Sequence, residues 1–160
     1  MHKSSYDQML RIYDRYFVHE RNCSVLDVGS YNDNGSYRDI FPDWHYVGLD
    51  IRSGLGVDVV TVDPYHWPFE DESFDAVISG QCLEHVFDMY AWISEVARMV
   101  KINGLVIVTA PWKWPIHRHP VDCWRILPDG MRFLLAEVAG LKVLECYLHE
   151  SDCWGIARKV

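Results

Sequence analysis

The chain has 160 residues, 49% of them hydrophobic and 24% charged, enough apolar material for one domain of ordinary size and too little length for two. Fifteen Lys and Arg against 23 Asp and Glu give a net charge of −8 with no basic run, which argues against nucleic acid as a partner. No apolar stretch approaches the ~18 residues of a membrane helix, residues 1–7 lack a signal core, and Cys23, Cys82, Cys123, Cys146 and Cys153 form no CxxC pair, so a cytoplasmic protein with buried reduced thiols is expected.

Ser5-x-x-Gln8 has the spacing of a capping box, and Tyr6, Met9, Leu10, Tyr13, Tyr16 and Phe17 recur at helical intervals, so an amphipathic helix is predicted up to about His19. Ser24-Val25-Leu26-Asp27-Val28-Gly29 reads as a short buried strand that stops at a glycine. A polar loop leads to a second strand over 44–50 that ends in Asp50, then a third over 57–63 and a fourth over 74–80. Asp88 can cap a helix whose Met89, Trp92, Ile93, Val96, Ala97 and Val100 share one face, closed by Asn103-Gly104. A fifth strand follows over 105–111. Beyond an aromatic and histidine-rich loop, Pro128 suits the first turn of a helix striped by Met131, Leu134, Leu135 and Val138, with Gly140 at its exit. Two short strands within 141–148 and 154–160 would form the last pair of the sheet.

Strands alternating with helices imply an α/β fold with a mostly parallel sheet, whose ligands bind outside the carboxyl ends of the strands where the strand order reverses. A site is therefore expected in the loops after Val28, Leu49, Val62, Ser79 and Pro111. The links 51–56 and 64–73 are too short for crossover helices of ~10–12 residues, so helices between the second, third and fourth strands should be reduced. The face left bare would be closed by the first helix or by a second subunit, which leaves a homodimer open. A single domain over 1–160 is expected, with the N-terminal helix in 1–22 and the core in 23–160.

Gly29 and Gly35 bracket a polar turn that permits close approach of a ligand to the backbone, although no full GxGxxG is present. Asp50 lies 21 residues beyond Gly29 at the end of the next strand, where a carboxylate can accept both hydroxyls of a ribose; a turn-capping aspartate is the plainer alternative. The most unusual stretch is 111–125, in which Trp112, Trp114, Trp124 and three prolines surround His117, His119 and Asp122. Such an aromatic wall with fixed polar groups suits a sugar or a flat ring. Imidazoles titrate near neutral pH, so His117, His119 and, after the fourth strand, His85 are candidate bases, with Asp122 placed to fix a tautomer. The alternative is a proline-stiffened loop that closes the core. His117-x-His119-x-x-x-Cys123 beside Asp122 also offers ligand types for zinc or iron, but not the paired spacing of four ligands, and no metal is assigned.

From about residue 24 onward the chain resembles the class I S-adenosylmethionine-dependent methyltransferases, most closely the small type 11 methyltransferase-domain group. The resemblance rests on Val25-Leu26-Asp27-Val28-Gly29-Ser30, Val47-Gly48-Leu49-Asp50, the run from Asp63 through Trp67-Pro68-Phe69 to Asp75-Ala76-Val77, Leu83-Glu84-His85-Val86, and 96–105, in that order. It implies a Rossmann-like sheet of seven strands with the last one antiparallel. It further implies S-adenosylmethionine as cofactor, with Asp27, Gly29 and Ser30 at its methionine end and Asp50 on the ribose. Ile51 would touch the adenine, Asp63 would lie near the adenine amino group, and Ser79, Gly80 and Gln81 would sit beside the sulfonium. The loop 29–35 is longer than the family's glycine pattern, which bears on the contacts of Asn32, Asn34 and Gly35. The expected acceptor is a small molecule, a hydroxyl of a glycan precursor or specialised metabolite. A non-catalytic binding relative and a nicotinamide-dependent dehydrogenase are the competing readings; the latter is disfavoured by the missing GxGxxG.

Overall fold

A computed structural model describes residues 3–160; Met1 and His2, which begin the segment 1–22, lie outside the described residues. The apolar runs pair into one sheet made of β1 (Ser24–Val28), β2 (His45–Asp50), β3 (Val59–Val60), β4 (Phe74–Gly80), β5 (Val100–Pro111), β6 (Lys142–His149) and β7 (Asp152–Arg158). Their order is β3-β2-β1-β4-β5-β7-β6. β7 runs antiparallel to both β5 and β6, and the remaining pairs are parallel. The order reverses at β1, where Val25 pairs with Tyr46 on one side and Ala76 on the other. This is the α/β sheet expected from the sequence, with its antiparallel last strand.

The two-residue period of a strand sends alternate side chains to opposite cores. From β5, Leu105 and Ile107 join Met9 and Ile12 of α1 (Lys3–Tyr16), with Phe41 and Trp44. Val106 and Val108 instead face Trp92, Ile93 and Val96 of α2 (Met89–Met99) and Met131 of α3 (Pro128–Phe133), which continues as a π turn over Leu134–Val138. Thus α1 closes one face of the sheet, one of the two solutions anticipated. Between β1 and β2 there is only a 3-10 turn, Arg38–Ile40, and no helix links β2, β3 and β4.

The link after β3 is held by side chains instead. Arg98 of α2 donates to the carbonyls of Trp67 and Phe69 and pairs with Asp71 and the buried Glu95, which itself accepts the Trp67 N–H at 2.6 Å. Charge-assisted bonds to these part-buried carbonyls give this helix-free segment a fixed path across the sheet.

Several local expectations need correction. Ser5 is not a cap: it is buried within α1, and its hydroxyl shares a 2.7 Å hydrogen bond with that of Tyr37. The third strand shrinks from seven residues to two because Asp58 turns to accept the Gly48 N–H and to pair with Arg38, and Val62 points fully into solvent. β5 begins at Val100 rather than 105, passing through Asn103 in the left-handed region (φ 68°) before regular pairing with β4 starts at Leu105. The Asp88 cap is as expected, its Oδ1 accepting from the N–H groups of Tyr90 and Ala91. All five cysteines are free thiols, but Cys153 alone is buried and Cys123 is exposed. No helix among the described residues is long and apolar enough to cross a membrane.

Candidate active site

The carboxyl ends of β1, β2, β4 and β5 surround a cleft of about 530 Å³, a volume typical of small-molecule sites. All five anticipated loops contribute to it. At the first, the Gly29 N–H donates to the Leu49 carbonyl and the residue has φ +81°. A Cβ there would lie 2.6 Å from that of Cys82, so only glycine allows the β1 loop to close against the β4 loop. Ser30 follows, with its buried hydroxyl lacking a hydrogen-bond partner among the described residues.

Asp27 lies beneath this turn. Burial pushes its carboxyl up to about 6, against the opposing effect of the Tyr46 hydroxyl, which donates to it at 2.5 Å. Asp50, at the end of β2, accepts the Tyr31 N–H on Oδ2 and the Arg52 N–H on Oδ1. Each of its oxygens keeps a lone pair for a further donor. Ile51 and Gly35 also line the cleft, as do Gly80 and Gln81. Gln81 has φ 60°, and its buried Nε2 has no partner among the described residues.

Two of the residues assigned by resemblance stand elsewhere. Ser79 is buried behind the cleft and donates to the Val28 carbonyl at 2.7 Å, tying β4 to β1. Asp63 is exposed and outside the lining because its carboxylate accepts the Tyr65 N–H two residues on, a local turn that spends the side chain on its own backbone. Its neighbours Thr61, Pro64 and Tyr65 line the cleft in its place.

The opposite wall brings together the three histidines singled out in the sequence. The rings of His85 and His117 are 5.0 Å apart, and His119 is 5.8 and 5.9 Å from them. His85 donates from Nδ1 to the Val121 carbonyl at 2.6 Å, because a carbonyl only accepts. Burial also moves its pKa downward, favouring the neutral ring. Asp122 lies behind His117, accepting its backbone N–H at 2.7 Å and standing 3.4 Å from its Nδ1. The Arg125 guanidinium, bonded to both oxygens, holds the Asp122 carboxyl well below the usual range. Asp122 is therefore a fixed anion at the back of the wall rather than a lining group.

Glu84 was quoted in the sequence motif without a role, and the structure gives it a prominent place. It is fully buried, and neither carboxylate oxygen has a hydrogen-bond partner among the described residues. Burial pushes its pKa up to about 8. Oε1 faces Nε2 of His85 at 3.6 Å and Nε2 of His117 at 3.8 Å. Tyr31, Tyr37, Trp67 and Cys82 are further lining residues not singled out in the sequence. Their only signal was adjacency to the motifs.

A sheet of this order with a cleft at its switch point is built to bind a ligand at the carboxyl ends of its strands. Comparison with known proteins finds similarity to methyltransferases. Residues 36–108 match the family described as "Methyltransferase domain". Demethylmenaquinone methyltransferase of Thermobifida fusca is 34% identical over 126 residues, 71% of this chain and 52% of that protein. Phosphoethanolamine N-methyltransferase 2 of Caenorhabditis elegans is 27% identical over 65% of this chain and 27% of its own length. The chain thus spans about half, or less, of these curated relatives. A methyltransferase from Aquifex aeolicus superposes with a TM-score of 0.69 at 14% identity, covering 100% of both chains. The [4+2]-cyclase SpnF does so with 0.72 at 17% identity, over 96% of this chain and 81% of that one. The chain is thus similar to methyltransferases over the matched residues 36–108 and in its sheet order.

Proposed function

We propose that this protein binds S-adenosylmethionine in the cleft and transfers its methyl group to a hydroxyl of a small molecule, a sugar-like precursor or a specialised metabolite. The observation that carries the reading is the pairing, within one cleft, of the β1 and β2 ends with the histidine wall. Asp50 keeps acceptor capacity for ribose hydroxyls, Ile51 offers an exposed apolar surface for a flat base, and the unpartnered Ser30 Oγ and Gln81 Nε2 await polar partners. These donors and acceptors fit an adenosyl amino acid, with Asp27 available to a cationic amino group once ionised.

When bound, the cofactor supplies an electrophilic methyl group on a sulfonium. The chain's own tasks are alignment and exclusion of water, because positive charge disappears during an in-line displacement. The Gly29–Cys82 apposition and the Tyr37 ring behind Gly80 fix the floor of the cleft. On the acceptor side, a neutral hydroxyl needs its proton removed, and the His85–His117–His119 cluster is where it would go. The Trp114 side of the loop, with Pro120, would pack on the acceptor.

Calorimetric titration with S-adenosylmethionine, S-adenosylhomocysteine and a reduced nicotinamide cofactor tests the reading. Micromolar binding of the adenosyl ligands with none of the nicotinamide is expected. Absence of adenosyl binding in a folded sample would sink it. Full turnover in both His117→Ala and His119→Ala at saturating cofactor would remove the proton-acceptor role from those rings.

A further inference from the structure

The back of the histidine wall contains an electrostatic arrangement that proton transfer alone does not account for. His85 Nδ1 lies 2.6 Å from the Val121 carbonyl, so that nitrogen carries the hydrogen and Nε2 carries a lone pair. His117 Nδ1 likewise faces only acceptors, the Pro115 carbonyl at 3.3 Å and Asp122 Oδ2 at 3.4 Å, leaving Nε2 with the lone pair. Both lone pairs converge on Oε1 of Glu84, at 3.6 and 3.8 Å. The three ligand atoms lie within 4.8 Å of one another. A buried carboxyl group without a hydrogen-bond partner among the described residues thus faces two imidazole lone pairs, three potential ligand atoms around one point.

We infer that Glu84, His85 and His117 form a binding site for one divalent transition-metal ion at the acceptor end of the cleft. Two imidazoles and a carboxylate with open positions suit Zn²⁺ or Fe²⁺ and disfavour Mg²⁺, which takes oxygen ligands. A metal at ~2.0–2.2 Å from each donor sets donor separations of about 3–4 Å, and both spacings to Glu84 are already within that range. The outer partners follow the rule for metal-bound histidines, in which the second ring nitrogen donates to a carbonyl or carboxylate. The Val121 carbonyl serves His85, and the Pro115 carbonyl with Asp122 serves His117. Arg125, bonded to both oxygens of Asp122, fixes that anion in turn.

The site also explains why the loop folds back as it does. The Cys123 N–H donates to the Glu84 carbonyl at 2.8 Å, so the segment carrying His117 is pinned to the turn carrying Glu84 and His85. His85 and His117 both line the cleft, so positions left open on the ion would face an oxygen ligand there. His119, half exposed beside them, is the ring that remains free to accept a proton. That catalytic consequence rests on the methyl-transfer reading, whereas metal binding itself does not.

The test uses the whole chain, dialysed against a chelator and titrated calorimetrically with Zn²⁺ and separately with Mg²⁺, with a parallel Co²⁺ titration followed by visible absorption. One Zn²⁺ per chain at micromolar or tighter affinity is expected, with no Mg²⁺ uptake and a Co²⁺ d–d band. Glu84→Gln and His117→Ala should each weaken Zn²⁺ at least tenfold, while Cys123→Ser leaves it unchanged. Adenosyl binding by the same samples reports separately on the cofactor reading. No Zn²⁺ heat and no cobalt band in the folded wild type would overturn the inference. So would equal affinity for Mg²⁺, unchanged uptake in either folded ligand variant, or a thiolate-to-cobalt charge-transfer band.

Discussion

On the proposed reading, the proton of Asp27 links cofactor binding to folding. An unfolded aspartate ionises near ~3.9, whereas burial moves the folded carboxyl up to about 6. Between those values the folded chain holds a proton that the unfolded chain has lost, so this group's contribution to stability falls as pH rises through the window and stays at its lower value above it. Two units at ~1.36 kcal/mol each amount to about 3 kcal/mol. Asp27→Asn keeps an acceptor oxygen for the Tyr46 hydroxyl and abolishes the titration. The variant is expected to be nearly as stable as wild type at about pH 4 and more stable by up to about 3 kcal/mol above about pH 7. Urea unfolding of both proteins across this range supplies the difference, which cancels the slopes from other carboxylates. A stability difference that does not change with pH would refute the argument. Since the ionised form is the one that attracts a cationic amino group, wild-type affinity for S-adenosylmethionine should also tighten as pH rises through about 6.

Three other perturbations probe separate parts of the molecule. Asp50→Ala removes the acceptor at the end of β2 and should weaken adenosyl binding by about 10–100-fold, the scale of one charge-assisted bond pair; unchanged calorimetric affinity would displace the ribose from that strand end. Gly29→Ala forces a Cβ to within 2.6 Å of Cys82 at φ +81°, so a destabilisation of at least about 2 kcal/mol is expected in thermal melts, and a melt equal to wild type would contradict the close apposition. Glu95→Ala leaves Arg98 without its buried partner and the Trp67 N–H without an acceptor, a loss of about 3 kcal/mol measurable by denaturant unfolding. A change below about 1 kcal/mol would mean that the link after β3 does not depend on this network.

The elements whose pattern repeats locally were legible in the sequence: β1, β2, β4 and α2 appear close to where their apolar periods and the Asp88 cap placed them. What was not legible depended on contacts between distant residues. Ser5 reads as a cap until Tyr37, 32 positions away, claims its hydroxyl. The run 57–63 has good strand composition, yet only two of its residues pair, because it lies at the sheet edge and Asp58 is drawn toward Arg38 and Gly48. At the site, the loop positions followed from topology, while His85, His117 and His119 were separate candidates that only the fold brings together. Asp63 lies outside the lining because its carboxylate bonds its own turn, and Ser79 lies behind it because its hydroxyl binds a neighbouring strand. Glu84 was overlooked because nothing within the segment shows that the loop 117–125 folds over it.

The Ser5–Tyr37 hydrogen bond makes the first helix a strut for the cleft. Tyr37 stands against Gly80, where an added Cβ would meet its hydroxyl oxygen at 2.6 Å, so the helix, the tyrosine and the cleft floor form one continuous stack. Loss of the Ser5 hydroxyl on the helix side would therefore reach the cleft floor through Tyr37.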